Sequence, residues 1–135
     1  MSGGVSYVFE GHISRDQYIG AMLGFLHAYL RVPALRSEAA QLITRVVTYL
    51  DANDWNAYHV NGTAISAPFV QTPAVLWSFI KCGYVADPQR WTALHNAHKD
   101  LAGTTWLAVW GSTREVMESY YKVNLLHSNL AILMA

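Results

Sequence analysis

The chain reads as an all-α protein built of antiparallel helical hairpins, and three observations carry that reading. Apolar residues recur at three- and four-residue steps, the period of a helix with one buried face. Prolines stand where such stretches begin, at Pro33, Pro73 and Pro88, the position at which a missing N–H and a fixed φ are best tolerated. The connection at Pro33 is short, which makes the helices on either side antiparallel neighbours. At 135 residues the chain has the length of one ordinary domain, so a single domain over 1–135 is expected.

Residues 1–13 are glycine-rich with a short β-like patch, Val5 to Phe9, and read as a lead-in strand or loop. Ser14 is the expected N-cap of a helix from Arg15 to Arg31, apolar on most sides (Tyr18, Ile19, Met22, Leu23, Phe25, Leu26) and therefore expected at the centre of the fold. Pro33 stops it. An outer amphipathic helix follows, with Leu35, Ala39, Leu42, Ile43, Val46 and Leu50 on the inner side and Arg36, Glu38, Gln41 and Arg45 on the other. Residues 51–72 are punctuated by Asn53, Asp54, Gly62 and Pro68, and Asn61-Gly62 favours a tight turn, so the segment reads as a loop with room for a small hairpin. Pro73 opens a short apolar helix that Gly83 is expected to close. Asp87 caps the next helix, with Pro88 in its first turn and Trp91, Leu94, Leu101 and Trp106 on its buried side as far as Gly111. Ser112 or Thr113 caps a last helix carrying Val116, Tyr120, Val123, Leu126, Leu130 and Leu133, with Asn124 marking a kink or break.

Composition narrows the functions. The chain is 53% hydrophobic and only 13% charged, where about a quarter charged is usual, so some apolar surface is expected to meet a partner. Nine Lys and Arg balance nine Asp and Glu, leaving no positive field to draw in a phosphate backbone or an anionic membrane. Nucleic acid is not expected as a partner. The apolar runs break at His, Lys, Gly or Asn well before the roughly 20 residues that cross a bilayer, so no membrane partner is expected either. The first twelve residues lack the basic start and apolar run of a secretory leader, which leaves the cytoplasm as the default expectation. The lone Cys82 excludes an internal disulfide and a Cys-rich zinc knuckle and reads as a small buried hydrophobe near a helix end. Phosphate loop, dinucleotide fingerprint and nucleophile elbow are all lacking, so no cofactor is implied.

The stretch from Gly11 through His12, Ser14-Arg15-Asp16-Gln17 and Tyr18 to Gly20 resembles the opening of an inner helix in α/α-toroid proteins of the six-hairpin glycosidase type. The order of later features is similar too: a hairpin, Asn53-Asp54-Trp55-Asn56, a His-Val-Asn-Gly turn, Pro73 to Trp77, Asp87-Pro88 and a Tyr120-Tyr121 helix. The resemblance implies a partial toroid-like array, at most half a ring, because a complete ring needs more than twice this length. It also implies carbohydrate-directed chemistry by carboxylates, and a half ring can lack one of the pair.

Several residues could carry chemistry. His12, Arg15, Asp16, Gln17 and Tyr18 cluster at the first helix N-terminus, where backbone donors and the macrodipole suit a polar ligand. Asp16, Gly20, Gly24 and His27 share one polar or very small face that can border a cavity, although the same residues also suit a helix cap and a close helix approach. His95 and His98, three residues apart, can chelate a metal but lack the His-Glu-x-x-His pattern, and structural histidines are the better reading. His27 and His127 likewise read as core histidines. Trp55 with Tyr58 and His59 could form a stacking wall for a sugar, while Trp91, Trp106 and Trp110 read as core.

Three functions follow in order. The first is a glycosidase-like hydrolase, or a relic of one, with catalytic Asp16, His12 and Asp54 (Glu10 being another second carboxylate) and with Arg15, Gln17, Tyr18, Trp55, Tyr58 and His59 binding substrate. The second is a non-catalytic helical module for a small-molecule or saccharide ligand or a protein partner, and the third a His-based metal hydrolase. A homodimer is expected through the flanks of the first and last helices (Ile19, Leu23, Leu26, Leu30; Leu126, Leu130, Leu133), which a broken ring would leave exposed.

Overall fold

The computed structural model describes residues 14–59, 61–64, 68–103 and 120–134, with side chains in the last stretch from 127 onward. The expected elements at 1–13, including Glu10 and His12, and those carried by Trp106, Trp110 and residues 111–119 lie outside the described residues, as do the side chains of Tyr120, Val123, Asn124 and Leu126. The helices are α1 (Arg15–Arg31), α2 (Arg36–Ala52), α3 (Pro73–Ala86), α4 (Pro88–His98) and α5 (Tyr120–Met134), with 3-10 turns at Pro33–Leu35 and Phe69–Gln71. Among the described residues no strand forms, and the fold is all-α, packed as helical hairpins.

Local chemistry accounts for the ends of α1. The Ser14 N–H donates to Gln17 Oε1 at 2.6 Å and the Gln17 N–H to Ser14 Oγ at 3.4 Å, a reciprocal capping box that satisfies two otherwise orphaned donors. Val32 leaves the helix at φ −120°, ψ 91°, as the ring of a following proline requires. Pro33 starts a 3-10 turn rather than α2 itself, and Arg36 Nε reaches back to the Tyr29 carbonyl at 3.1 Å to pin the hairpin. On α2 the buried residues are Ala39, Ile43, Val47 and Leu50, whereas Val46 is half-buried and Leu35 is 45% exposed. The buried stripe is therefore rotated slightly from the one expected.

The central helix is α3, not α1. Every residue from Ala74 to Ile80 is buried, as are Cys82 and Gly83, and α3 packs against α1, α2, α4 and α5. The reason is compositional: Ala74 to Ile80 contains no charged residue, so no face of that stretch demands water. By contrast α1 buries only Ile19, Met22 and Leu26, and its Asp16, Gly20, Gly24 and His27 face is exposed. Gly83 does not close α3, which runs on to Ala86, and Pro88 supplies the stop by holding Asp87 out of helical geometry. The Asp87 carboxylate then accepts the Arg90 N–H at 3.1 Å, capping α4 as expected, but α4 ends at His98 with a turn at Lys99 and Asp100 and does not run on unbroken to Gly111.

The last helix lies along α3 and runs in the same direction. The buried Ser78 hydroxyl lies 2.8 Å from Asn129 Oδ1 and 2.8 Å from the Val75 carbonyl, and it has a single proton to donate to one or the other. One turn further on, the Lys81 ammonium donates to the Leu133 carbonyl, a favourable pairing of a cation with a helix C-terminus. Because α1 also packs on α5, Ile19, Leu26 and Ile132 are buried and Leu23, Leu30, Leu130 and Leu133 half-buried within one chain. Those described side chains are not the open flanks on which the expected dimer rested.

The open face of α1 yields a stability prediction. A Cβ at Gly24 meets nothing within 4 Å, and alanine in a helix interior is favoured over glycine by about 0.8–1 kcal/mol. Gly24→Ala is expected to raise the urea midpoint by a corresponding amount, and a lower midpoint would show that this face is covered.

Candidate functional site

The antiparallel α1–α2 hairpin brings the start of α1 to the end of α2, and the loop between α2 and α3 closes over the same pole. Arg15 is tied there by its guanidinium, which donates from Nη1 to Thr72 Oγ1 at 2.8 Å. Tyr18 lies half-buried with its ring edge-on to Phe69 (centroids 5.5 Å apart, planes at 86°), and Phe69 packs in the same manner on Phe79 at 5.3 Å. Burial pushes the Tyr18 phenol above its usual range, and the neighbouring Tyr49 adds to the effect. Tyr49 in turn accepts the Tyr58 N–H on its hydroxyl at 3.1 Å, and the two side chains are 38% and 39% exposed. The Tyr18 and Tyr49 phenols, the Tyr58 backbone and a positioned guanidinium thus meet at one pole.

The loop that presents Tyr58 is shaped by two left-handed residues, Asp54 at φ 51° and Trp55 at φ 59°. Aspartate tolerates that region, but a tryptophan there is strained by about 1–3 kcal/mol. Burial offsets the strain: Trp55 is only 6% exposed, and its carbonyl accepts the Phe69 N–H at 2.9 Å. Asn56 steadies the turn by donating to the Asn53 and Asp54 carbonyls at 3.2 and 3.0 Å. Beyond it, the His59 N–H donates to the Thr63 carbonyl at 2.8 Å, Gly62 takes φ +82°, and Tyr58 bridges Ala64 in antiparallel fashion. This is the small hairpin that Asn61-Gly62 signals.

Of the residues singled out in the sequence, Arg15, Tyr18 and the backbone of Tyr58 are drawn to one pole. Asp16 and Asp54 lie at the same pole, both exposed, outside the water-excluded surroundings on which acid–base catalysis draws. Gln17 is engaged with Ser14 in the capping box, so its amide oxygen serves the helix rather than a ligand. Trp55 is buried and is no stacking wall, because the left-handed turn folds its ring inward. His59 is half-buried beside Tyr58 in the chain. Tyr49 and Thr72 were missed. A tyrosine in the last turn of an amphipathic helix and a threonine before a proline carry no signal of a site, and only the closure of the loop gives them one.

The histidines take other roles. His95 packs between Trp77 (4.8 Å, planes at 35°) and Tyr84 (4.2 Å, 21°). His98 Nδ1 stands 3.0 Å from the Leu94 carbonyl, which can only accept, so that nitrogen carries the proton. Both thus make contacts within the fold, whereas His27 and His127 are exposed rather than in the core. Among the described residues no three His, Cys, Asp or Glu side chains gather as a metal site requires. Cys82 is buried, and burial pushes its thiol up to about 12, against the opposing influence of Lys81. Its thiolate is therefore suppressed. Among the described residues no helix is long and apolar enough to cross a membrane.

Comparison with known proteins adds no relative. No protein-family model, curated protein or solved structure matches the chain.

Proposed function

We propose that the chain is a non-catalytic ligand-binding helical module whose recognition surface is the tyrosine-rich pole, with a hydroxyl-rich small molecule of the saccharide class as its ligand. The observation that supports this reading is the meeting of the Tyr18 and Tyr49 phenols with Arg15 and the Tyr58 backbone at one pole, where the Tyr58 side chain is exposed. Aromatic faces stack on the apolar C–H faces of a pyranose, and phenol and guanidinium groups hydrogen-bond its hydroxyls. Titration of the full chain with a panel of neutral mono- and disaccharides, read by amide chemical shifts, is the test. Shifts are expected at Arg15, Tyr18, Tyr49 and Tyr58, and Tyr58→Ala is expected to weaken binding roughly tenfold, about 1.4 kcal/mol. Unaltered binding by Tyr58→Ala would sink the proposal.

A second reading, a glycosidase-like hydrolase using Asp16 and Asp54, is favoured by the segment resemblance and by the shared pole of the two carboxylates. Glycoside chemistry needs a carboxylate pair about 5–9.5 Å apart. Under this reading wild-type protein releases sugar from aryl glycosides and Asp16→Asn does not, while the exposed position of Asp16 keeps the melting temperature nearly unchanged. Turnover that survives in Asp16→Asn excludes that residue as the acid or base.

A further inference from the structure

Away from the tyrosine pole, a groove of about 420 Å³ opens between the first half of α2 and the corner where α3 meets α4. That volume lies within the roughly 300–1,000 Å³ typical of small-ligand sites, towards the lower end. Two opposite charges line it, Arg45 from α2 and Asp87 from the corner, and no ion pair joins them. Arg45 makes no hydrogen bond or ion pair among the described residues. Asp87 uses Oδ1 on the Arg90 N–H at 3.1 Å, which leaves further lone pairs on its carboxylate. Gln41 and Thr44 add polar groups to the lining, and Ala40 and Ala86 add methyl groups.

An anion alone would meet the Asp87 carboxylate, and a cation alone the Arg45 guanidinium. A ligand that carries both charges satisfies each wall, and charge-assisted hydrogen bonds are about twice as strong as neutral ones. We propose that this groove binds a small zwitterion of the amino-acid or dipeptide class, its carboxylate on Arg45, its ammonium on Asp87 and its apolar part over Ala40 and Ala86. The site is separate from the tyrosine pole and does not depend on the function proposed there.

The probes are free alanine, leucine, glutamine and glycylglycine, each compared with its N-acetyl form, which lacks the ammonium, and its amide, which lacks the carboxylate. They are titrated into the full-length chain with amide shifts as the readout. A free zwitterion is expected to give saturable shifts at residues 37–45 and 86–87, and removing either of its charges is expected to weaken binding roughly tenfold. Asp87→Asn retains a good helix cap and is expected to erase the preference for the free form over the N-acetyl form. Arg45→Gln is expected to erase the preference over the amide. Three outcomes overturn the proposal: no saturable shift at these residues up to about 10 mM, beyond even a millimolar dissociation constant; equal binding of the charge-deleted probes; or shifts confined to the tyrosine pole. The wild-type probe series decides the matter even where a variant fails to fold.

Discussion

Phe79→Ala is expected to lower the stability of the chain by about 3–5 kcal/mol, the usual range for emptying a large aromatic site in a core. Phe79 is fully buried on α3, at the centre of the fold, and its ring meets Phe69 edge-on at 5.3 Å. Collapse around the lost ring is restricted. Phe69 is held on its other sides by the Tyr18 ring and by its N–H bond to the Trp55 carbonyl, so it cannot move into the void without giving up both. Some of the cavity therefore persists, and the effect should reach the tyrosine pole through Phe69. Chemical denaturation checks the magnitude, and the melting temperature is expected to fall by at least about 10 °C for a domain of this size. Val70→Ala is the control: Val70 adjoins Phe69 in the chain but is 47% exposed, and surface changes of that kind stay within about 0.5 kcal/mol. A loss in Phe79→Ala no larger than that of the control would show that α3 is not the centre.

What the sequence revealed depended on how local the cause was. The Ser14 N-cap, the Asp87 cap before Pro88 and the turn at Asn61-Gly62 each involve residues within a few positions of one another, and each stands as read, although Gln17 completes a capping box with Ser14 instead of facing a ligand. The identity of the central helix was not legible, because α1 and α3 are both rich in apolar residues. The difference lies in where the polar and glycine positions fall. Those of α1 line up on one exposed face, whereas the Ala74 to Ile80 stretch of α3 has no charged position to line up. The candidate site was half legible. Arg15, Tyr18 and Tyr58 could be chosen by residue type, but Trp55 looked like a ligand wall until its left-handed backbone turned the ring into the core. Tyr49 joins the patch only through contacts between α2, α1 and the loop, and such contacts leave no periodic trace.

Gly83→Leu is expected to destabilise the fold by about 3 kcal/mol, the upper part of the range for overpacking a filled core. The glycine lies in the last turn of α3, which continues to Ala86, so its role is space rather than a left-handed cap. A Cβ built there stands 3.2 Å from Val47 Cγ1 and 3.3 Å from Trp91 Cδ1, so even a methyl group presses on both α2 and α4. Trp91 has little freedom to yield. It is buried against α3 and its ring also carries the Arg90 guanidinium at 5.0 Å, so packing and this contact hold it although its indole N–H has no partner among the described residues. The three further carbons of a leucine must then separate α3 from its neighbours or force the tryptophan out of its site. Gly83→Ala divides the two contributions, since its gain in helix propensity of about 1 kcal/mol opposes a modest clash and leaves the net change small. The measurements are urea midpoints for both variants beside Gly24→Ala, whose added methyl meets open space. The order expected is Gly24→Ala above wild type, Gly83→Ala near it and Gly83→Leu far below. A Gly83→Leu protein as stable as wild type would mean that α2, α3 and α4 do not meet as closely as their contacts at Val47 and Trp91 require.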